Sequence, residues 1–316
     1  MLNRFFDLVE IRTKVASILP FLLGTVYVYY HFEEFVLIRF LLMLIGVLTL
    51  DMAVTAANNY YDFKRAHRKQ GYNYEQHNAL VKHELSKNTV IMITILLLLA
   101  AAVSGLFLFL KTDLIVLFLG VLSFITGIGY SYGPVPISRT PYGELLSGLL
   151  MGFIIIFIAV NIHLPETIII ISYINGMINI SVNLMEVIYI FLYSVPVIFS
   201  ISNIMLANNI SDIKDDYKNN RYTLPIYIGK KTSLKLFRYL YYLIYLDIVV
   251  IVYLKIVPVY CLLLLLTVIP VKSNINVFNK RQSKKDTFVL SVKNFVIINF
   301  SYLLFMIAAL ISKKVL

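Results

Sequence analysis

Residues 89–110 read TVIMITILLLLAAAVSGLFLFL, an apolar stretch without a single charge. As a helix it would rise about 33 Å, enough to cross a bilayer core of about 30 Å. It is apolar all round, so it offers no polar face to water. Eight further stretches are long and predominantly apolar, most with one to three charged residues, at 15–31, 36–57, 113–132, 142–162, 185–207, 236–255, 257–272 and 288–312, the eighth of the nine in chain order (257–272) being the shortest. The expected fold is therefore all-α, a polytopic bundle of nine transmembrane helices. Residues 165–182 (PETIIIISYINGMINISV) are apolar too and read as a re-entrant or interfacial piece.

Composition points the same way. Hydrophobic residues make up 59% of the 316 and charged residues 14%, where a soluble domain carries about a quarter. The single Cys261 excludes an intrachain disulfide and argues against a cysteine metal site. The N-terminal segment carries Arg4, Asp7, Glu10, Arg12 and Lys14 before its first apolar run and lacks a small-residue cleavage pattern, so the first span is expected to remain in the mature chain.

Charge sets the expected orientation. Lys and Arg gather at 4–14, 64–87, 139, 214–238 and 272–285, alternating with nearly bare loops around 32–35, 111–113, 163–184 and 255–257. The positive-inside rule makes the basic loops cytoplasmic, with the C-terminus outside. The net charge of +11 is largely this asymmetry and gives no reason to invoke nucleic acid. Lacking a linker rich in Pro, Gly or Ser, residues 1–316 are expected to form one domain, with a weak internal repeat: span, Asn-Asn, Asp, basic loop.

The repeat carries the chemistry. Residues 56–69 read AANNYYDFKRAHRK, and 207–229 read ANNISDIKDDYKNNRYTLPIYIG. If the helices continue, Asn58 and Asp62 share a face, as do Asn208, Asp212 and Asp216, with Asp215 beside them. Carboxylates stacked near a membrane are costly unless a cation lies between them. Oxygen ligands with basic neighbours suit Mg²⁺ held jointly with a phosphate-bearing ligand, and Lys64, Arg65 and Lys214 would neutralise the remaining phosphate oxygens. Between two spans, YSYGPVPISRTPYGELLSGLLMGF (130–153) is broken by Pro134, Pro136 and Pro141. Its lone Arg139 is either an orientation signal or a diphosphate contact. Tyr130 and Tyr132 are either interfacial aromatics or a wall facing a developing carbocation. Arg12 and Lys14, at the start of the first span, read as topology anchors, and His67, His77 and His83 lack metal-ligand spacing.

At these residues the sequence resembles the UbiA-type intramembrane prenyltransferases, most of all those that prenylate 1,4-dihydroxy-2-naphthoate in menaquinone synthesis. The resemblance runs from LVEIRTKVASILPFLLGT (8–25) to the ninth span and is most specific in NNYYDFKR (58–65), 133–153 and 208–229. It implies nine helices around a central cavity, with two Asp-rich motifs holding Mg²⁺ and the diphosphate of a polyprenyl donor. By position, Asn58, Asp62, Asn208, Asp212 and Asp216 would face the metal. Asp62, Asp212, Asp216, Arg139 and Tyr130 would carry the chemistry, and Arg12, Lys64, Arg65, Arg139 and Lys214 the diphosphate. The first motif in that family usually reads Asn-Asp with a further downstream Asp; this chain has Asn59, and Ala66, His67 and Arg68 fill the downstream stretch. The implied product is demethylmenaquinone. Another acceptor such as 4-hydroxybenzoate, or a secondary transporter, stands as the alternative; acids at span ends rather than at the bilayer midplane favour the enzyme.

Overall fold

Helices are the only open-ended way to satisfy backbone groups in lipid, and the apolar stretches adopt them. The computed structural model describes residues 2–65, 78–174 and 176–315. Among these, nine helices are long and apolar enough to cross a membrane: α1 Ile11–Phe32, α2 Leu37–Lys64, α3 Lys87–Phe109, α4 Leu114–Ser131, α5 Gly143–Asn161, α6 Leu184–Lys218, α7 Lys230–Tyr253, α8 Val259–Lys280 and α9 Val289–Lys313. The eighth opens as a 3₁₀ stretch, Val259–Thr267, before turning α-helical.

Two of the nine overshoot the bilayer. With 28 and 35 residues, α2 and α6 run about 42 and 52 Å, so their last turns stand beyond a ~30 Å hydrocarbon core. Both polar clusters are therefore helical, and the i, i+4 spacing is realised on one face of each.

α5 is the hub that fixes α6 beside α1. Gly148 and Gly152 form a small-x-x-x-small stripe inside a π-helical stretch, Gly148–Ile154. A Cβ on Gly152 would stand 2.8 Å from the Ile198 Cα, and one on Gly148 2.7 Å from the Ile198 carbonyl. Gly24 of α1 meets α5 equally closely, 2.7 Å from the Ala159 Cβ. Close backbone approach of this kind is how helices associate where water supplies no driving force. Around α6 the core is aromatic, with Tyr193, Phe237, Tyr241, Phe278 and Tyr302 all buried.

Residues 165–182 do not re-enter the membrane as a helix. They form two antiparallel strands, β1 Ile169–Ile174 and β2 Met177–Val182. Gly176, just before β2, has φ 80°, a positive value of the kind tight hairpin loops require.

Candidate active site

One cavity of about 2210 Å³ gathers most of the residues singled out above. Its polar rim carries Asn58 and Asp62 from α2, Asn208, Asp212, Asp215 and Asp216 from α6, and Tyr130, Arg139 and Arg12. Its body is apolar, lined by Leu42, Val47, Gly105, Gly120, Met151 and Ile201 among others. These come from α2, α3, α4, α5 and α6. α4 buries only Val116 and Ser131 against protein, so the cavity on one side and lipid on the other take most of its surface.

The second cluster is the more tightly built. Asp216 is 3% exposed, pairs with Arg221 at 3.2 Å, and accepts from Thr223 Oγ1 at 3.3 Å. Arg221 also donates to the Ser138 carbonyl (3.1 Å), and Arg139 donates to the Asn219 carbonyl (3.3 Å). The Pro-rich turn is thus tied to the end of α6. Burial alone would lower the Arg221 pKa, but the carboxylates of Asp216, Asp62 and Asp212 outweigh it and hold the charge on. That guanidinium lies in the field of both clusters. Asp212 pairs with Lys284 Nζ at 2.6 Å. Lys284 reaches it from the turn between α8 and α9, which Ser283 and Thr287 brace through Ser283 N–H to Thr287 Oγ1 (2.8 Å).

In the first cluster, Asn58 Oδ1 accepts from Ser131 Oγ at 2.9 Å. Asn59 does something different. Its amide nitrogen donates to the Leu8 carbonyl (3.1 Å) and the Thr55 carbonyl (3.3 Å) and lies 3.4 Å from Glu10 Oε1. Its backbone carbonyl accepts from Asn78 Nδ2 at 2.8 Å. An aspartate side chain has no donor for the bonds that the Asn59 amide nitrogen makes. Asn59 is a clasp joining α2 to the N-terminal segment and to residue 78.

Not every expected residue reaches the cavity. Lys64 and Lys214 are exposed and do not line it. Lys64 is two residues, about 200° of helix, from Asp62, and Lys214 the same from Asp212, so each faces away from that aspartate. The side chain of Arg65 lies outside the described residues, as do His67, Arg68, Lys69 and His77. Tyr132 is on the surface, its ring 5.2 Å from that of Tyr61. Lys14 is no interfacial anchor: it is 2% exposed and pairs with Asp51 at 2.6 Å, with Thr55 Oγ1 at 2.7 Å. Asp51, Arg221, Lys218, Lys284 and Lys285 line the cavity as well. The only sequence signal for the last two was a basic run between two spans. Glu144, buried, accepts from Asn209 Nδ2 at 2.8 Å and ties α5 to α6 behind the cluster.

The comparisons with known proteins agree with this architecture. The UbiA prenyltransferase family model matches residues 17–304. The chain belongs to that family. It is a prenyltransferase, which removes the transporter alternative. It is 29% identical over 231 residues to the 1,4-dihydroxy-2-naphthoate octaprenyltransferase of Bacillus subtilis (strain 168), covering 73% of this chain and 68% of that one. Its fold is similar to a UbiA homolog from Archaeoglobus fulgidus bound to DMAPP and Mg²⁺, with TM-score 0.64, 15% identity, and 96% and 98% of the two chains covered. A UbiA homolog from Aeropyrum pernix K1 matches with TM-score 0.63 at 17% identity, over 91% and 98%.

Among the described residues no three His, Cys, Asp or Glu side chains converge as an all-protein metal cage. The donor set suits a different use. Mg²⁺ commonly takes one or two carboxylates and completes its shell with substrate phosphate and water. Asp212 already has an ammonium as counter-ion at 2.6 Å, so this carboxylate attracts cations in the absence of substrate. Asp62, Asp212 and Asp216, with Asn58 and Asn208 as neutral oxygen donors, line the same cavity and are of the chemical type that would take Mg²⁺ jointly with substrate phosphate.

Proposed function

We propose that this prenyltransferase moves a polyprenyl group from its diphosphate to 1,4-dihydroxy-2-naphthoate, with Mg²⁺, from the cytoplasmic face of the cell membrane, and that residues 1–316 act as one domain. The observation that carries the reading is a single cavity with an acid- and cation-bearing rim and an apolar body beside the thinly packed α4. A substrate with a diphosphate head and a hydrocarbon tail matches both ends. The homologue from Bacillus subtilis supports the choice of acceptor.

When bound, Mg²⁺ would neutralise the diphosphate and stabilise it as a leaving group. The chain's own residues do the rest. Arg139, Arg221, Lys284 and Arg12 line the cavity and present cations to the diphosphate oxygens. The apolar body excludes water from the allylic carbon, so capture by the aromatic ring wins over hydrolysis. Tyr130, part-buried and lining the cavity, would offer an electron-rich ring to positive charge developing there. The allylic C–O bond breaks and diphosphate leaves, a C–C bond forms to the ring, and the ring's carboxylate leaves as carbon dioxide, giving demethylmenaquinol, which a separate two-electron oxidation would convert to demethylmenaquinone.

The test is prenyl transfer by membranes containing this chain, with farnesyl diphosphate, Mg²⁺ and 1,4-dihydroxy-2-naphthoate, beside Asp62→Ala and Asp212→Ala. A prenylated naphthoquinone that disappears with EDTA and in both variants is expected. Mg²⁺-dependent product with 4-hydroxybenzoate and none with the naphthoate would move the acceptor. Full activity in both variants would remove the clusters from the mechanism.

A further inference from the structure

The hairpin between α5 and α6 is the part of the chain that prenyl transfer leaves unused. Its register pairs Ile169 with Val182, Ile171 with Ile180 and Tyr173 with Ile178. Strand side chains alternate between faces, so these six share one face, and it is wholly apolar. The intervening pairs bring Ser172, Asn179 and Ser181 to the other face together with Ile170 and Met177, so that face is mixed and carries all the polar side chains of the strands. No charged residue occurs between Glu166 and Glu186.

The base of this ribbon is fixed. Asn183 N–H donates to the Ile168 carbonyl at 2.8 Å, closing the strands, and Asp113 at the start of α4 accepts from the Glu166 N–H at 3.2 Å. Ile168 is buried and Ile169 packs on the core, which holds the base of the ribbon against the bundle. Away from the base the same face is bare, with Tyr173 75%, Ile178 70% and Ile180 63% exposed. The bare surface continues into Leu184, Met185 and Ile188 at the start of α6.

Two constraints locate this ribbon. A two-stranded sheet leaves the N–H and C=O groups of both outer edges unpaired, which the hydrocarbon core does not tolerate. Water, in turn, would leave the apolar face uncovered. Only the boundary between headgroups and acyl chains satisfies both. The strands join two membrane spans directly, β2 ending at Val182 and α6 beginning at Leu184. Along α6 that end lies about 42 Å from Asp212, at the opposite side of the bilayer from both carboxylate clusters.

We propose that residues 169–182 form an interfacial β-anchor, lying on the leaflet opposite the active site with the Tyr173, Ile178, Ile180 and Val182 side chains of one face seated in lipid. The ligand is the lipid surface itself, taken through apolar contact and Tyr173 rather than charge.

The chain contains no Trp, so a single introduced Trp reports without background. Ile178→Trp and Ile180→Trp place it on the apolar face and Asn179→Trp on the other. Each variant is reconstituted in phosphatidylcholine–phosphatidylglycerol vesicles, and its fold is checked by prenyl transfer at the distant site. Expected are blue-shifted emission from the two apolar-face reporters and several-fold stronger quenching by bromines placed just below the headgroups than for Asn179→Trp. Aqueous iodide is expected to quench Asn179→Trp several-fold more than either. Equal iodide access on both faces with bromines silent would overturn the proposal, as would strongest quenching by bromines at the bilayer centre. Shielding from both quenchers that grows with the protein-to-lipid ratio would assign the face to a second copy and likewise overturn it.

Discussion

Replacing Asn59 by Asp separates two readings of the first cluster. It restores the acid the family usually carries there, so a metal-ligand role predicts a gain. The geometry predicts a loss. Asn59 is 6% exposed and its amide donates at 3.1 Å to the Leu8 carbonyl and 3.3 Å to the Thr55 carbonyl, with Glu10 Oε1 at 3.4 Å. An aspartate keeps the shape but turns a donor into an acceptor facing two carbonyls and a carboxylate. Two lost hydrogen bonds account for about 1–3 kcal/mol, and the buried charge facing acceptors raises the total to about 2–4 kcal/mol. Asn59→Asp is therefore expected to melt several degrees lower in detergent, followed by the loss of the monodisperse peak on size-exclusion chromatography after heating. Prenyl transfer at saturating Mg²⁺ should not rise, and the Mg²⁺ requirement should not fall. A variant that keeps its Tm and turns over faster at lower Mg²⁺ would make residue 59 a metal position and refute the clasp.

Three further outcomes follow from single features. Lys284→Gln breaks the 2.6 Å pair with Asp212, and because Lys284 is itself partly exposed the Tm should move by less than about 1 kcal/mol equivalent; steady-state kinetics should show KM for the diphosphate donor rising about tenfold, a loss of ~1.4 kcal/mol in binding. Gly152→Ala puts a methyl 2.8 Å from the Ile198 Cα and should cost about 1–3 kcal/mol by overpacking, read as a lower Tm, whereas Gly129→Ala, with nothing within 4 Å, should leave it level or slightly higher. His163 is buried beyond the end of α5, its Nδ1 accepting from the Val36 N–H at 3.0 Å and its Nε2 unpartnered; burial, helped by Arg39, pushes its pKa down to about 4. The unfolded chain takes up this proton first, near 6.5, so the stability from neutral His163 is complete above that pH and is lost as pH falls toward 4, by up to about 3 kcal/mol. His163→Gln should flatten that part of the Tm–pH curve.

The bilayer made the helices legible, because its thickness sets a length that few other features of a sequence imitate. The Asn58/Asp62 and Asn208/Asp212/Asp216 faces were legible for a related reason, since i, i+4 spacing acts within one helix. What sequence reasoning missed depends on partners far along the chain. Lys284 meets Asp212 across 72 residues and Asn59 meets Leu8 across 51, and no local period encodes either. The hairpin is a different case. Asn175-Gly176 between alternating apolar residues is a hairpin signal, but the run of isoleucines before it has the composition of a membrane segment and conceals the period of two.

The two motifs are held by different means, and this bears on which one would govern the proposed metal binding. The second stands on α6, whose backbone is locked against α5 at Gly148 and Gly152 and braced by Glu144, Arg221 and Thr223. It carries three carboxylates on a scaffold with little freedom to move. The first carries one, Asp62, at the end of a helix steadied by the Asn59 clasp and the Ser131 bond to Asn58. Under the proposed function, the rigid, acid-rich second cluster would be the main holder of Mg²⁺, with Asp62 adding one further carboxylate. Arg221, in the field of Asp216, Asp62 and Asp212 alike, then acts as the fixed positive charge that keeps three acids from repelling one another before substrate arrives. On this reasoning the missing acids of the first motif weaken the second site little, because the charge they would add is supplied across the cavity by α6.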